Sequence, residues 1–371
     1  MSITVGFVSE VTELERRVAL VPETAKKIIK AGWKVLMQSG AGNAAGFLDA
    51  DYDGCEIVKD SNSVLSKADV IVCISAPSNE TITNMKNDSV LLGMIAPFAD
   101  KDRYETANKK NITVFSMELV PRTSRAQSMD ALSSQASAAG YKAVLMAAVE
   151  APKFLPMLTT AAGTIRPSQV LVIGAGVAGL QAIATAKRLG AMVMGYDVRP
   201  ETVEQVKSLG AKFLDLGVEA VGEGGYARDL TDEEKQQQQN ALSDYLKKVD
   251  ILITTAAVPG RPAPRLITEE MTKNLRPGTV VVDLGAEGGG NVALTEKGKT
   301  VVKNGVTYVG PVNLAGTLSI HASEMYSRNV WNLLSLMNKD GGFEINWEDD
   351  ILAGSNVTKD GQTVHPMVVG K

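Results

Sequence analysis

The chain has 371 residues, of which 44% are hydrophobic and 22% charged. That is an ordinary soluble composition, with apolar material for about two cores. A net charge of −4 without any basic cluster excludes nucleic acid as the expected partner. Cys55 and Cys73 are the only cysteines, so reduced core thiols are expected and neither a disulfide framework nor a metal site is. Glu10, Glu13 and Glu15 come early with no apolar segment before them, which argues against a signal peptide, and no Arg-rich transit segment is present. No run reaches the roughly 18 apolar residues of a spanning helix; Ala143 to Val149 is short and flanked by Lys142, Glu150 and Lys153.

In chain order, Ile3–Val8, Lys34–Met37, Val70–Ile74, Val90–Ile95 and Ile112–Met117 read as short buried strands. Helical patterns such as Glu23–Lys30 and Lys101–Lys110 alternate with them, predicting a parallel sheet covered on both faces. Ser128 to Pro156 is helix-forming and crowded with small residues, among them Ala131, Ser133, Ala138 and Gly140. A connecting helix packed closely at an interdomain cleft is expected there. A second alternation begins at Val170 and runs through Ala191–Tyr196, Ala211–Leu214, Asp250–Thr254 and Thr279–Leu284. Ala322–Met337 reads as a last long helix that returns to the first domain. The fold class is therefore α/β, two doubly wound Rossmann-like domains with a cleft between them. The expected division is 1–130 plus about 312–371, a connecting helical segment 131–165, and a nucleotide-binding domain 166–311.

The second alternation opens with a chemical signature. Val170-Leu-Val-Ile-Gly174-Ala-Gly176-Val-Ala-Gly179 is a strand feeding a G-x-G-x-x-G turn from which a helix starts. Gly174 permits the tight turn, Gly176 the approach of a pyrophosphate, and Gly179 close helix–strand packing. The N–H groups at the start of that helix, from Val177, then face the phosphates. The next strand ends at Asp197, at roughly the 20-residue spacing where a carboxylate receives ribose hydroxyls. Asp197 favours NAD over NADP, although Arg199 beside it can pair with a phosphate. Gly217–Thr231, with several glycines and no periodicity, is either a lid over the nucleotide or an ordinary surface loop. Gln236–Gln239 reads as a solvated helix face.

The acid–base inventory is poor. His365 lies in a polar tail, and His321 precedes a helix that it can simply cap. The other unusual cluster is Pro121-Arg122-Thr123-Ser124-Arg125-Ala-Gln127-Ser-Met-Asp130, between the last N-terminal strand and the connecting helix. A guanidinium, an amide and a carboxylate in one loop can bracket a nicotinamide and its ribose without exchanging protons. Equally, Ser128 or Asp130 can cap the helix while the arginines are solvated.

Met117 through Tyr141, with its RAQSxD core, resembles the signature loop of the proton-translocating nicotinamide nucleotide transhydrogenases, in their NAD(H)-binding first component. The resemblance continues in Thr160-Ala-Ala-Gly-Thr, in the glycine turn and its helix, in Tyr196-Asp-Val-Arg, in Gly224-Gly-Tyr226-Ala and in Thr254 to Pro264. It implies that Arg122, Gln127 and Asp130 form the hydride-transfer loop, with Thr123 and Ser124 among its nucleotide contacts. Gln127 would position the dihydronicotinamide, supported by Ser133 and Tyr141. Gly174, Gly176, Val177 and Gly179 would hold the pyrophosphate, and Asp197, Val198 and Arg199 the adenosine ribose. Gly225 and Tyr226 would fall in the closing loop, with Gln238 and Ala257 as further contacts.

The resemblance further implies a Re/Si-specific enzyme active only with its partners: an NADP(H)-binding component and a membrane-spanning component that couples hydride transfer to proton translocation. NAD(H) would bind this chain and NADP(H) the partner, and a homodimer is implied. The expected location is the cytoplasm, or a reducing side like the mitochondrial matrix, peripheral to a membrane through the partners. Met1–Leu14 and Asn313–His321 depart from the family's usual pattern. Alanine dehydrogenase is the rival. Arg17 would match its substrate arginine, but Ser75 stands near its lysine position and Gly93–Pro97 lacks its histidine. A catalytically silent NAD-sensing module is the third reading.

Overall fold

The central strands of this chain are almost wholly apolar on both faces, as in Val70–Cys73 and Val90–Gly93, where every residue is buried. Such strands fit only parallel sheets covered on both sides. The computed structural model describes residues 3–221, 228, 230–257 and 261–370. Two units are present, Met1–Gln135 with Ala315–Lys371, and Ala136–Leu314.

In the first unit an eight-stranded sheet runs Gln362–Thr363, Asn356–Lys359, Thr113–Ser116, Val90–Gly93, Val70–Cys73, Thr4–Phe7, Lys34–Gln38, Glu56–Val58. The last six are parallel, and the first two are antiparallel additions. Side chains alternate between two cores: Val35, Met37, Val70 and Val72 enter one, and Leu36, Ile71 and Cys73 the other. The first core is closed by Ala25 and Ile28 of helix Pro22–Lys30 and by Tyr326, Val330, Leu333 and Leu334 of helix Ser319–Ser335.

The second unit repeats the scheme with seven strands: Lys212–Phe213, Met192–Tyr196, Gln169–Ile173, Ile251–Thr254, Val280–Asp283, Val306–Val309, Thr300–Lys303. All are parallel except the last. Numbered by appearance, the six parallel strands of each unit follow the order 3-2-1-4-5-6, which reverses direction between the first and fourth. Ligands bind outside the carboxyl ends of the strands at such a reversal.

Several expectations change. Only Ala131–Glu150 of segment 131–165 is helical, and the division between units falls inside that helix. Pro152 and Pro156 prevent its continuation, and a two-stranded hairpin, Leu158–Thr160 with Gly163–Ile165, follows. Strands Glu56–Val58, Thr300–Lys303, Val306–Val309 and Asn356–Lys359 are additions to the expected set. Two hairpins among them turn at Asn304-Gly305 and Asp360-Gly361, where both residues have positive φ as a primed turn demands.

Candidate nucleotide-binding site

At the reversal point of the second sheet, strand Gln169–Ile173 lies beside Ile251–Thr254, with Ile173 opposite Thr254. The three fingerprint glycines there are required for three different reasons. Gly174 has φ +93, and a Cβ on it would stand 2.5 Å from Thr255 Oγ1. Gly179 packs so closely that its Cβ would lie 1.7 Å from the Gly174 carbonyl oxygen. A Cβ on Gly176 would instead meet no protein atom nearer than Arg199 Nη2 at 4.0 Å. The protein itself does not need that glycine. The open space above it fits a group such as a pyrophosphate that must approach the backbone.

Helix Val177–Arg188 begins directly at Gly176, and no side chain caps it. Its first N–H groups and its dipole therefore suit an anion. Val177 is exposed at that first turn, while Ala182, Ile183 and Ala186 are buried. Gly140 of the connecting helix abuts the same turn, since a Cβ there would lie 2.1 Å from the Ala178 carbonyl oxygen. That close approach accounts for part of the small-residue run.

Asp197 reaches back to this turn. Its carboxylate accepts from Ala175 N–H at 2.7 Å and from Arg199, at 2.9 Å through Nε and 2.7 Å through Nη2. Burial pushes its pKa up, but the Arg199 fork and the Ala175 N–H outweigh that and hold it below the usual carboxylate range. Arg199 thus folds onto Asp197, so the two residues whose charges pull the nucleotide choice in opposite directions form one ion pair. Val198 is half-buried beside them, its carbonyl accepting from Ala220 N–H at 2.7 Å.

Gln238 corrects the reading of Gln236–Gln239 as a solvated face. Gln236 and Gln237 are exposed, but Gln238 is buried and donates to the Tyr196 hydroxyl at 2.8 Å. It shares a stripe with buried Leu242 and Leu246 of helix Asp232–Leu246. Ala257 is exposed at the rim of a cavity of about 200 Å³, lined also by Arg261, Gly285 and Glu287. Gly225 and Tyr226, with most of the glycine-rich loop's centre, lie outside the described residues.

The signature loop belongs to the first unit. Arg122, Thr123, Ser124 and Gln127 are exposed on it, and Ala126 and Met129 anchor it in the core. Asp130 is a helix cap: Oδ1 accepts from Ser133 N–H at 2.9 Å and Oδ2 from Ser133 Oγ at 2.5 Å. Ser133 is therefore Asp130's partner, whatever else the pair does. Tyr141 is 40% exposed on the same helix. Sequence reasoning missed the residues that hold the loop. Asn329 and Asn332, one turn apart on Ser319–Ser335, both donate to the Ser128 carbonyl, at 2.8 and 2.9 Å. Arg125 is tied to Asp349, at 2.7 and 2.8 Å, and to Asp350. An asparagine pair at helical spacing was the available signal.

At the reversal point of the first sheet no comparable cradle forms. The Glu10 carboxylate takes the N–H groups of Ile74 and Ser75, at 2.7 and 2.9 Å. Arg17 is buried against Glu15, at 2.8 Å through Nε, and donates to Gln135 at 2.8 Å. Burial pushes the Glu10 carboxyl up to about 7, against the pull of those two N–H groups. A folded pKa above the unfolded value contributes stability that is complete below the unfolded pKa of 4.5 and is lost as pH rises through 7. The Glu10 contribution to thermal stability should therefore fall between about pH 5 and 8, so that Glu10→Gln makes the melting temperature less sensitive to rising pH than the wild type's. An unchanged slope would contradict this titration.

The Cys55 and Cys73 thiols are both free, and no cluster of three or more potential metal-ligating His, Cys, Asp or Glu side chains occurs among the described residues. No described helix is long and apolar enough to cross a membrane.

A glycine cradle at the switch point of one of two doubly wound units defines a dinucleotide-binding α/β protein. Comparison with known proteins narrows the class. Residues 6–139 match the family "Alanine dehydrogenase/PNT, N-terminal domain" and residues 143–366 the family "Alanine dehydrogenase/PNT, C-terminal domain". The first portion of the NAD(P) transhydrogenase alpha subunit of Rhodospirillum rubrum is 44% identical over 370 residues, covering 96% of each chain. A solved transhydrogenase from Sinorhizobium meliloti superposes with a TM-score of 0.89 at 41% identity, over 97% of this chain and 100% of the other. An L-alanine dehydrogenase structure, 24% identical with a TM-score of 0.81 over 99% of this chain and 98% of its own, shares the fold. The chain belongs to the NAD(P) transhydrogenase alpha-subunit family. That family binds nicotinamide nucleotides, its role is that of an oxidoreductase, and the designation as a subunit implies partner subunits.

Proposed function

We propose that this chain binds NADH and passes its hydride directly to NADP⁺ held on a separate component. The observation that carries the reading is the contrast between the two reversal points. The second unit keeps a glycine cradle with open space at Gly176, while the first closes the equivalent position with Glu10. That contrast supports one dinucleotide per chain, with the second nucleotide on a partner. In the reaction a C–H bond breaks at C4 of the dihydronicotinamide and a C–H bond forms at C4 of the acceptor. NADH is oxidised, NADP⁺ is reduced, and no proton needs to come from the protein.

Catalysis of that kind rests on proximity and orientation. Gln127 positions the nicotinamide and its ribose, Arg122 with Thr123 and Ser124 bounds the nucleotide, and the Asp130–Ser133 pair sets where the loop joins its helix. Tyr141 supports that geometry, and Tyr226 with Gly225 closes on bound nucleotide. Asp197 receives the adenosine ribose hydroxyls and favours NAD(H). Gln238 acts through Tyr196 beneath the site, and Ala257 contributes at its rim. Arg17, paired with Glu15 and Gln135, is committed within the protein, which disfavours alanine dehydrogenase chemistry.

In this reading a membrane component couples the transfer to proton translocation, and the chain is peripheral to the membrane through its partners. It forms a homodimer, for which hairpin Leu158–Thr160/Gly163–Ile165 offers exposed Met157 and Ile165. Sedimentation should give twice the chain mass at micromolar concentration, and a strict monomer contradicts the dimer. The function is tested by mixing the chain with an NADP(H)-binding transhydrogenase component and following reduction of an NADP⁺ analogue by NADH. Turnover requiring both proteins is expected. NADH binding with no turnover in the mixture would favour a sensing module instead.

A further inference from the structure

We propose that Asn291 is a positioning residue that sets where the nicotinamide half of the dinucleotide is held. The inference rests on the nucleotide-binding reading of the second unit and adds a residue outside the fingerprint and the signature loop.

Asn291 is fully buried, and its side chain grips the backbone of one residue, Ala256, on both sides of its Cα, in the segment beside the glycine turn. Its Oδ1 accepts from Ala256 N–H at 3.1 Å, and its Nδ2 donates to the Ala256 carbonyl at 2.9 Å and the Pro264 carbonyl at 2.8 Å. A carboxamide alone among side chains of this size presents an acceptor and two donors in one plane. Aspartate would place a second acceptor against two carbonyl oxygens. The gripped segment is also tied to the cradle, because Thr255 N–H donates to the Ile173 carbonyl at 2.9 Å and Thr255 Oγ1 to the Gly174 carbonyl at 3.1 Å.

A second layer fixes Asn291 itself. Buried Asp283 accepts from Thr254 Oγ1 at 3.0 Å, Gly285 N–H at 2.9 Å and Val292 N–H at 3.0 Å, so it holds the residue after Asn291. The Asn291 carbonyl accepts from Leu266 and Ile267 N–H groups at 2.9 and 3.0 Å. Gly285 leaves room for the amide, since a Cβ there would stand 2.9 Å from Asn291 Oδ1. From the strand ends to Ala256, the backbone is thus held by hydrogen bonds from both layers. In doubly wound folds the adenosine half is held by the first glycine turn and the carboxylate after the second strand. The segment after the fourth strand, which Asn291 grips, lies on the other side of the reversal and serves the other half of the ligand.

The test compares Asn291→Asp and Asn291→Ala with the wild type, using full-length chain. Affinity is measured for NADH and for ADP, which carries only the adenosine half. The expected result is an NADH Kd raised about tenfold or more, with the ADP Kd within about twofold. Equal weakening of both ligands, or no weakening of either, would overturn the positioning role. If the variants fail to fold, hydrogen exchange on the wild type decides. NADH should protect residues 255–257 and 261–265 more than ADP does, and equal protection would overturn the proposal. A wild-type chain that binds neither ligand would instead overturn the nucleotide reading itself.

Discussion

Replacing Gln127 with asparagine should slow hydride transfer by about 10²-fold while NADH affinity changes little. Gln127 is exposed on a turn whose geometry is set from behind, by Ala126 and Met129 in the core and by Asn329 and Asn332 on the Ser128 carbonyl. Shortening the side chain by one methylene leaves that framework intact and withdraws only the amide. Misplacement by about 1 Å is enough for such a loss when catalysis rests on orientation. Rates at saturating NADH in the presence of the NADP(H)-binding component, together with NADH titrations of the chain alone, separate the two effects. A large loss of affinity with normal turnover at saturation would assign Gln127 to binding instead.

The second large effect comes from two alanines three positions apart. Gly176→Ala should lower NADH affinity by about 10²-fold with no loss of melting temperature. Its backbone, at φ −75 and ψ −170, accepts any residue, and its Cβ meets only Arg199 Nη2 at 4.0 Å. The methyl group then obstructs the ligand alone. Gly179→Ala should lose both properties, because its Cβ falls 1.7 Å from the Gly174 carbonyl oxygen and forces helix from strand. Overpacking of that kind costs about 3 kcal/mol. Calorimetry and NADH titration on both variants check the pair. Equal destabilisation by the two substitutions would mean that Gly176 is a packing residue and that the cradle argument fails.

The cradle is legible in the sequence because local signals there agree. An apolar strand, three glycines, a helix-forming run and an acid at the end of the next strand each predict the same turn. Asp130 is ambiguous in sequence because a carboxylate before a helix caps it by default, and the structure shows it capping through Ser133. Gln238 is misleading because composition there outweighs periodicity. Its spacing to Leu242 and Leu246 places it on the buried stripe, where only an amide reaching the Tyr196 hydroxyl makes burial tolerable. Strand Val306–Val309 escapes the alternation of strand and helix, although Asn304-Gly305 before it is a strong hairpin signal.

What the sequence does not reveal is the tertiary support. Asn291 grips Ala256, Asn329 reaches Ser128 and Arg125 reaches Asp349, each pair far apart in the chain. Apart from the helical spacing of Asn329 and Asn332, hydrogen bonds of that kind leave no periodic trace, and even that spacing does not name Ser128 as the partner. The additional hairpin after Glu150 has a similar explanation. Pro152, Pro156 and the positive φ of Gly163 end one element and turn another, but small residues upstream suggest a longer helix.

Direct transfer between the two nucleotides is the central claim, and isotope labelling tests it most directly. NADH deuterated at the transferred C4 position is mixed with NADP⁺, this chain and the NADP(H)-binding component in ordinary water. The NADPH formed should carry the deuterium in full, with none exchanged into solvent. Unlabelled NADPH, or label lost to water, would contradict transfer without a protein-borne or solvent intermediate.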